Sequence, residues 1–573
     1  MTRSAGAIGG THGAGAGRVG DLRRARRASH PFARLATIAI STVVLLPVAT
    51  LVAIALSGDA SDWPHLASAV LPGAIATTIY LLLLVSVGTV SIGVTSAWLI
   101  VGYDFPLRRV FSWALVLPLA VPPYLAAYAF AEFFHFTGPI QSLLRAAFGF
   151  TSIHDYWFPD IRSTPGAAVV LACVLYPYVY LTSRVVFLLQ GRNIADVART
   201  LGAGPGKVFW RILLPVARPA IVAGTVLVLM ETINDIGASE YLGVRTLTFS
   251  VFSTWLNRGS LEGAAQIAMV MLALVFVLVA VEQGARRRQR FHTGRATHMK
   301  ARPPRVALYG AKGVAATTAV ALPVLFGFGI PVYVFGAYAS RRLDRFFSPE
   351  LGTALLNSVI TAALTSALTI VVALLLLNAV RLVRTRPTDA MVRLASIGYA
   401  LPGTILALGL LFALARFDNA VDAFARAYLD MSTGLLLTGT SAAVVLACTI
   451  RFVALAEGAI RSGLEKLPAN LDEAARSLGQ SPARSAGRVL LPVLRPAIFT
   501  AAVLVFVDTV KELSATLLLR PFGFNTLATS VYENASRAVV EEAAPAAILI
   551  IVTALAPVVL LSNALAADKE ATL

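Results

Sequence analysis

The sequence predicts an all-α integral membrane protein of about twelve transmembrane helices, arranged as two homologous six-helix halves. Three observations carry that prediction. Of the 573 residues 57% are hydrophobic and 14% charged, and the mean hydropathy is +0.75. Apolar runs of about 20 residues recur along the chain, the length a helix needs to cross a bilayer. Finally, Asn193–Ile221 returns as Asn470–Ile498 at a shift of 277, without a gap over 29 positions, fifteen of them identical. Other positions exchange like for like, as Asp196/Glu473, Thr200/Ser477 and Lys207/Arg484 do.

In chain order, residues 1–34 are rich in Gly, Ala and Arg and read as a disordered basic tail on the cytoplasmic side. The first half, 35–283, predicts spans near Leu35–Leu56, Gly73–Val101, Val110–Phe134, Pro165–Leu189, Pro219–Tyr241 and Ala264–Glu282. A long outer connection, His135–Ser163, separates the third span from the fourth. The linker 284–306 holds Arg286, Arg287, Arg288, Arg290 and Lys300 and no acid. By the positive-inside rule it is cytoplasmic, which makes the number of preceding spans even. The second half, 307–568, predicts spans near Gly313–Ala337, Leu355–Leu382, Ile397–Ala415, Leu435–Ala456, Pro496–Leu519 and Ala544–Ala566. Arg341, Arg342 and Arg345 fall on the outer side and weaken the rule locally. Further correspondences appear at a shift of 280, pairing Ala120-Val121-Pro122 with Ala400-Leu401-Pro402 and Thr246-Leu247 with Thr526-Leu527. An even number of spans between the copies gives both halves one orientation, so a pseudo-twofold axis along the membrane normal is expected. Both termini are then cytoplasmic.

The duplicated stretch reads as a helix, a break and a second short helix. Ala195, Ala198 and Leu201 share one face, Gly202 ends the turn, and Pro205 can open a new helix because its missing N–H is not needed there. A basic connector between spans has no physical reason to keep the same break and charges twice. The residues Asp196, Ala198, Gly202, Leu214 and Pro215, and in the second copy Glu473, Ala474, Ala475, Gly479, Leu491 and Pro492, resemble the EAA loop of ABC-transporter permeases. The second copy matches more fully, since the first has Val197 where the first Ala of the pair is expected. The resemblance implies that each loop is a coupling helix docking into a cytoplasmic ATPase.

The informative polar residues follow each loop. Glu231, Asn234 and Asp235 lie on the predicted fifth span, with Asp508, Lys511 and Glu512 in the same places on the eleventh. Glu231 stands twelve residues after Pro219, about 18 Å along a helix and near the membrane's middle. Ionisable groups at that depth are costly and usually face a bundle interior or an aqueous path. Spacings of three and four put each trio on one helical face. Two readings stay open: a polar lining of a translocation pathway, or a structural ion pair in which Lys511 satisfies Asp508 or Glu512. Pro122, Pro123 and Pro402 break backbone hydrogen bonding and are expected to kink their spans.

Several chemistries are excluded. Gly202–Val208 has a Gly-Lys pair, but Leu201 stands where a phosphate loop needs Gly and Val208 where it needs Ser or Thr. Gly15–Gly20 spells a dinucleotide fingerprint with no strand before it. No catalytic constellation appears, so a conduit is expected rather than an enzyme. Cys173 and Cys448 lie in apolar spans and read as packing residues. His135, His154, Asp155 and Asp160 carry ligand chemistry but read as a solvated loop, and no metal site is expected. The net charge of +18 lies in the tail and loops and is not a nucleic-acid signal.

Residues Lys511–Leu517, Leu519–Phe522 and Thr526–Thr529, with Asp235–Ala238 in the first half, resemble the iron(III) transport permeases, in which two halves are fused. The resemblance runs from about Leu35 to Ala566. Ser514 departs from it, standing where that family commonly has Pro. It implies an inner-membrane permease of an ABC importer with ferric iron as the expected cargo. The implied partners are a cytoplasmic ABC ATPase dimer, which uses ATP and Mg, and a periplasmic or lipoprotein substrate-binding protein. This chain itself is expected to bind no cofactor. Thiamine or phosphonate are the alternative cargoes, and a secondary transporter or a membrane enzyme the rival classes.

Overall fold

The structure is a computed structural model that describes residues 31–57, 63–188, 202–287, 305–383, 385–465, 477 and 479–567. Among these, the only strands are β1 (Tyr103–Asp104) and β2 (Val306–Ala307), a short parallel pair. Everything else with regular structure is helical, as the hydropathy predicts. The first half contains α1 (Pro31–Ser57), α2 (Leu71–Gly102), α3 (Arg108–Ala114), α4 (Pro123–Phe134), α5 (Pro139–Phe148) and α6 (Thr164–Val186). It continues with α7 (Leu214–Asn234), α8 (Gly237–Tyr241), α9 (Leu247–Arg258) and α10 (Leu261–Arg287). The second half supplies α11 (Gly310–Val324), α12 (Ile330–Arg341), α13 (Pro349–Val383), α14 (Arg386–Ala395) and α15 (Gly403–Leu429). It ends with α16 (Ser441–Glu465), α17 (Leu491–Val510), α18 (Ser514–Leu519), α19 (Leu527–Ser536) and α20 (Val540–Ala567).

Among the described residues eleven helices are long and apolar enough to cross a membrane, or up to twelve if one bent pair counts as a single span. That pair corrects the expected third span. Instead of a kinked helix over Val110–Phe134, Arg108–Ala120 and Pro123–Phe148 meet at 97°. Pro122 holds Val121 extended, at φ −101° and ψ 112°, and Pro123 opens α4. The ninth span behaves alike: Pro402 caps the start of α15, and α14 with a tight turn over Ser396–Ala400 precedes it. These prolines begin helices rather than bend them.

The repeat is also visible in hydrogen bonds. Thr78 Oγ1 accepts from the Leu247 N–H at 2.9 Å, and Ser358 Oγ from the Leu527 N–H at 2.7 Å, both displaced by 280 residues. Thr246 and Thr526 then cap the same two helices, α9 and α19.

Two compact units are present. One comprises Pro47–Thr365, Ala400–Arg451 and Phe506–Leu573; the other Met1–Leu46, Ser366–Tyr399 and Phe452–Val505. Each takes segments from both sequence halves. In the larger unit α2 packs along α6, where a Cβ on Gly93 would stand 2.9 Å from the Tyr180 nitrogen. Small residues at such crossings let membrane helices approach closely. Its core includes the fully buried Phe130, Tyr128, Tyr176 and Tyr180. In the smaller unit, Leu376, Val392, Ala395 and Val453 form a separate cluster, and Ser41 donates to the Met391 carbonyl at 3.0 Å.

The arginines that weaken the positive-inside rule have an explanation. Arg341, Arg342 and Arg345 face Glu541 and Glu542 at 3.8, 3.8 and 2.9 Å. Two of their three charges are offset locally, which weakens their pull on orientation. In the connection His135–Ser163, Gln141 accepts from the Tyr156 hydroxyl and donates to the Phe134 carbonyl, which pins the loop after α5. His135 bonds Thr137, Asp155 accepts from the Thr151 and Ser152 N–H groups, and Asp160 accepts from the Arg162 N–H. These groups are spent on local turns, and among the described residues no cluster of three could hold a metal ion.

Candidate functional site

The two polar trios sit where spans break. The fifth apolar stretch, expected as one helix to Tyr241, ends at Asn234; Asp235 turns extended at φ −78° and ψ 113°, and α8 starts afresh at Gly237. The eleventh ends at Val510 and restarts at Ser514. Each trio is therefore not on one helical face. Glu231 and Asn234 close α7, and Asp508 lies in the last turn of α17, while Asp235, Lys511 and Glu512 lie beyond the helix ends. The carboxylates cause the restart. Asp235 Oδ2 accepts from the Ala238 N–H and Glu512 Oε1 from the Ala515 N–H, both at 2.9 Å. Each satisfies an orphan donor at the start of a short helix and complements its dipole. Broken backbone at membrane depth is tolerated only where protein buries it or water fills a cavity beside it.

Two ion pairs occupy the break in the second half. Lys511 Nζ lies 2.8 Å from Asp508 Oδ1, with 27% and 25% of the side chains exposed. Arg451 Nη1 lies 2.8 Å from Glu512 Oε2, with both side chains only 6% exposed. The exposure separates them: the first pair meets an accessible surface, the second is sealed. Of the two structural pairings considered for Lys511, the Asp508 one forms, and Glu512 is satisfied by Arg451 instead. Glu231 is within electrostatic reach of Arg451, Lys511, Asp508 and Glu512, so the residues from both trios share one field.

Further contacts knit the same place. Asn234 Oδ1 accepts from the Gly403 N–H at 2.6 Å, and its carbonyl accepts from the Ser514 hydroxyl at 3.0 Å. A side chain at Gly403 would crowd the pair, because a Cβ there would stand 2.8 Å from Arg451 Nη1, 3.0 Å from Ser514 Cβ and 3.1 Å from Glu512 Oε1. Tyr124 is buried close to Asp235 and Glu512, and its hydroxyl has no hydrogen-bond partner. Arg451, Gly403 and Tyr124 escape the sequence reading. A signal for Arg451 exists: Ala167–Cys173 and Ala442–Cys448 are identical over seven residues at a shift of 275, which sets Arg451 opposite Tyr176. An arginine replacing a tyrosine inside a duplicated apolar span marks a polar site.

Of the elbow residues, Asp196, Ala198, Glu473 and Ala475 lie outside the described residues. Gly202 and Gly479 are described and adopt the same left-handed turn, at φ +81° and +78°. No atom lies within 4 Å of a Cβ at either position, so the backbone angle and not crowding demands glycine. After each, a short helix opens at Pro205 or Pro482 and passes through one wider, π-type turn, Phe209–Leu213 or Ala486–Leu490. Pro215 and Pro492 follow directly. The second helix, expected to be short, does not end at Pro215, and one helix runs over Gly206–Asn234. The extra residue in the wide turn lets proline continue the helix despite its missing N–H.

A family model described as the binding-protein-dependent transport system inner membrane component matches twice, over residues 89–290 and 378–567. The Fe(3+)-transport system permease protein FbpB 2 of Haemophilus influenzae is 25% identical over 85% of this chain and 89% of its own length. The molybdenum transport system permease protein ModB of Escherichia coli K12 is 28% identical over 35% of this chain and 88% of its own length. The sulfate transport system permease protein CysT of the same organism is 26% identical over 42% of this chain and 86% of its own. The shorter relatives thus correspond to about half of this chain.

Proposed function

We propose that this chain, which belongs to the family of binding-protein-dependent transport system inner membrane components, carries ferric iron through the break between its spans, driven by a separate ATPase. It is a multi-pass inner-membrane permease. The reading adds the cargo, the coupling and the path. The halves 35–283 and 307–568 each offer one elbow to one subunit of a cytoplasmic ABC ATPase dimer, and ATP with Mg is bound and hydrolysed there. Residues 1–34, the linker 284–306 and both termini face that side, and a substrate-binding protein delivers cargo from the other. The polypeptide supplies positioning and a path, not catalysis.

The accessible Lys511–Asp508 pair on a broken span carries the pathway reading. Around it the carboxyl groups of Glu231, Asp235, Asp508 and Glu512 outnumber the cations Arg451 and Lys511, so the site is rich in oxygen donors. Oxygen donors suit hard cations, and a path needs groups that attract without caging. The name of the full-length Haemophilus influenzae relative points to the same cargo. The half-length relatives named for molybdenum and sulfate transport supply the second reading, another small solute.

The test is uptake of radiolabelled ferric iron into proteoliposomes holding this chain, its ATPase and its binding protein. ATP-dependent uptake is expected, with Asp508→Asn lowering it and Gly479→Asp abolishing ATPase co-purification while membrane insertion persists. Full uptake without the ATPase, or normal co-purification of the Gly479 variant, would falsify the coupling. Uptake of molybdate or sulfate in place of iron would sink the cargo.

A further inference from the structure

We propose that the second half binds one acyl chain of an acidic phospholipid in a cavity beneath its elbow, a site the first half has closed with aromatic rings. The cavity measures about 260 Å³, just below the about 300–1,000 Å³ usual for ligand sites. It lies within the smaller unit, between the end of α13, the end of α16 and the wide turn that leads into α17. The repeat explains why it exists. At the shift of 280 Asn378 stands where the first half has Trp98, and at 277 Ala486 stands where it has Phe209. In the first half those two rings pack together, tilted by 37° with centroids 4.5 Å apart. In the second their places are taken by a small amide and a methyl group, and the space stays open.

The lining says what fits. Along α13 it runs from Val371 through Leu374 and Leu375 to Asn378 and Arg381. Ten residues of helix cover about 15 Å, half of the ~30 Å hydrocarbon core, so the cavity is as long as one leaflet is thick. It is apolar for most of that length and ends in a cation. The Asn378 Oδ1 is buried with no hydrogen-bond partner, an acceptor waiting for a donor. Phosphatidylglycerol meets all three conditions, with an alkyl chain for the leucines, a phosphate for Arg381 and hydroxyl donors for Asn378. A leaflet rich in anionic lipid is also where basic juxtamembrane residues gain attraction. Because the occupant would lie against Ala486 and Leu490, it would press on the element that follows the second elbow only.

The test uses the purified full chain in nanodiscs of phosphatidylglycerol and phosphatidylcholine, with native mass spectrometry counting the lipid retained after partial delipidation. Wild type is expected to keep phosphatidylglycerol preferentially. Asn378→Trp with Ala486→Phe, which installs the first half's own rings, should lose it without lowering the melting temperature. Ala486→Phe alone serves if the pair fails to fold. Arg381→Gln should reduce the headgroup preference roughly fivefold, the attraction one basic residue has for an anionic leaflet. Equal retention by the filled variants, no headgroup preference in wild type, or a free fatty acid as the retained mass would each overturn the proposal. None of these readouts depends on the cargo.

Discussion

Asp235 and Glu512 do the same backbone work 277 residues apart, each accepting an N–H at 2.9 Å to restart a broken span. Their surroundings differ. Glu512 is locked to Arg451, whereas the position matching Arg451 in the first half is Tyr176, fully buried with an unpartnered hydroxyl. The same contrast recurs at the elbows, where Trp98 and Phe209 give way to Asn378 and Ala486. Duplication has kept what the backbone needs: caps, left-handed glycines, wide turns before proline. It has released what side chains do, and at the breaks the two paired cations, Arg451 and Lys511, both stand in the second copy. A symmetric scaffold can in this way carry an asymmetric path.

The largest effect should come from splitting the sealed pair. Glu512→Ala takes from Arg451 its buried partner at 2.8 Å, which costs about 3–5 kcal/mol and should appear as a steep fall in detergent melting temperature. Making the second copy resemble the first, with Arg451→Tyr and Glu512→Asp together, should recover most of that loss. A double variant as unstable as the single one would mean the copies are not interchangeable at this site. Gly403→Ala, which crowds the same two groups, is expected to fall between them.

Next in size are the elbows. Gly202→Ala and Gly479→Ala place Cβ in a left-handed turn, at a cost of about 1–2 kcal/mol each. If the loops are equivalent handles, ATPase binding in pull-down should weaken equally for both; an effect confined to one would show that the motor grips unevenly. Smaller still, Thr78→Ala and Ser358→Ala each remove one buried hydrogen bond and should lose about 1 kcal/mol apiece, adding when combined. Least costly in stability is Asp508→Asn. Its pair with Lys511 is partly exposed, so its loss should stay within about 1 kcal/mol while transport falls. Equal losses in both would return this pair to a purely structural role.

Much of the fold is legible in the sequence because hydropathy and repetition are both long-range signals. The breaks are not. Apolar residues continue through Ile236, Ala238, Leu513 and Ala515, so a hydropathy average runs across Asp235 and Glu512 as though the helix did too. The local signature of a capping carboxylate three residues before a new N–H is present in both places, but inside an apolar run it also reads as a buried charge on a continuous helix. The prolines mislead in the opposite sense. Pro122 and Pro402 look like kinks until their places just before the first turns of new helices show them to be starts. The open cavity depends on two substitutions far apart in sequence, which become one fact only when both repeat shifts are laid on the structure.

Cys173 and Cys448 occupy matching places in the identical seven-residue segments, and both thiols are buried in helix packing. That gives the experimenter a quiet background. Single cysteines placed at either elbow, in the outer connection or beside the cavity can be probed with membrane-impermeant maleimides without first stripping the native thiols. The sidedness of every connection can then be read in the otherwise unaltered protein.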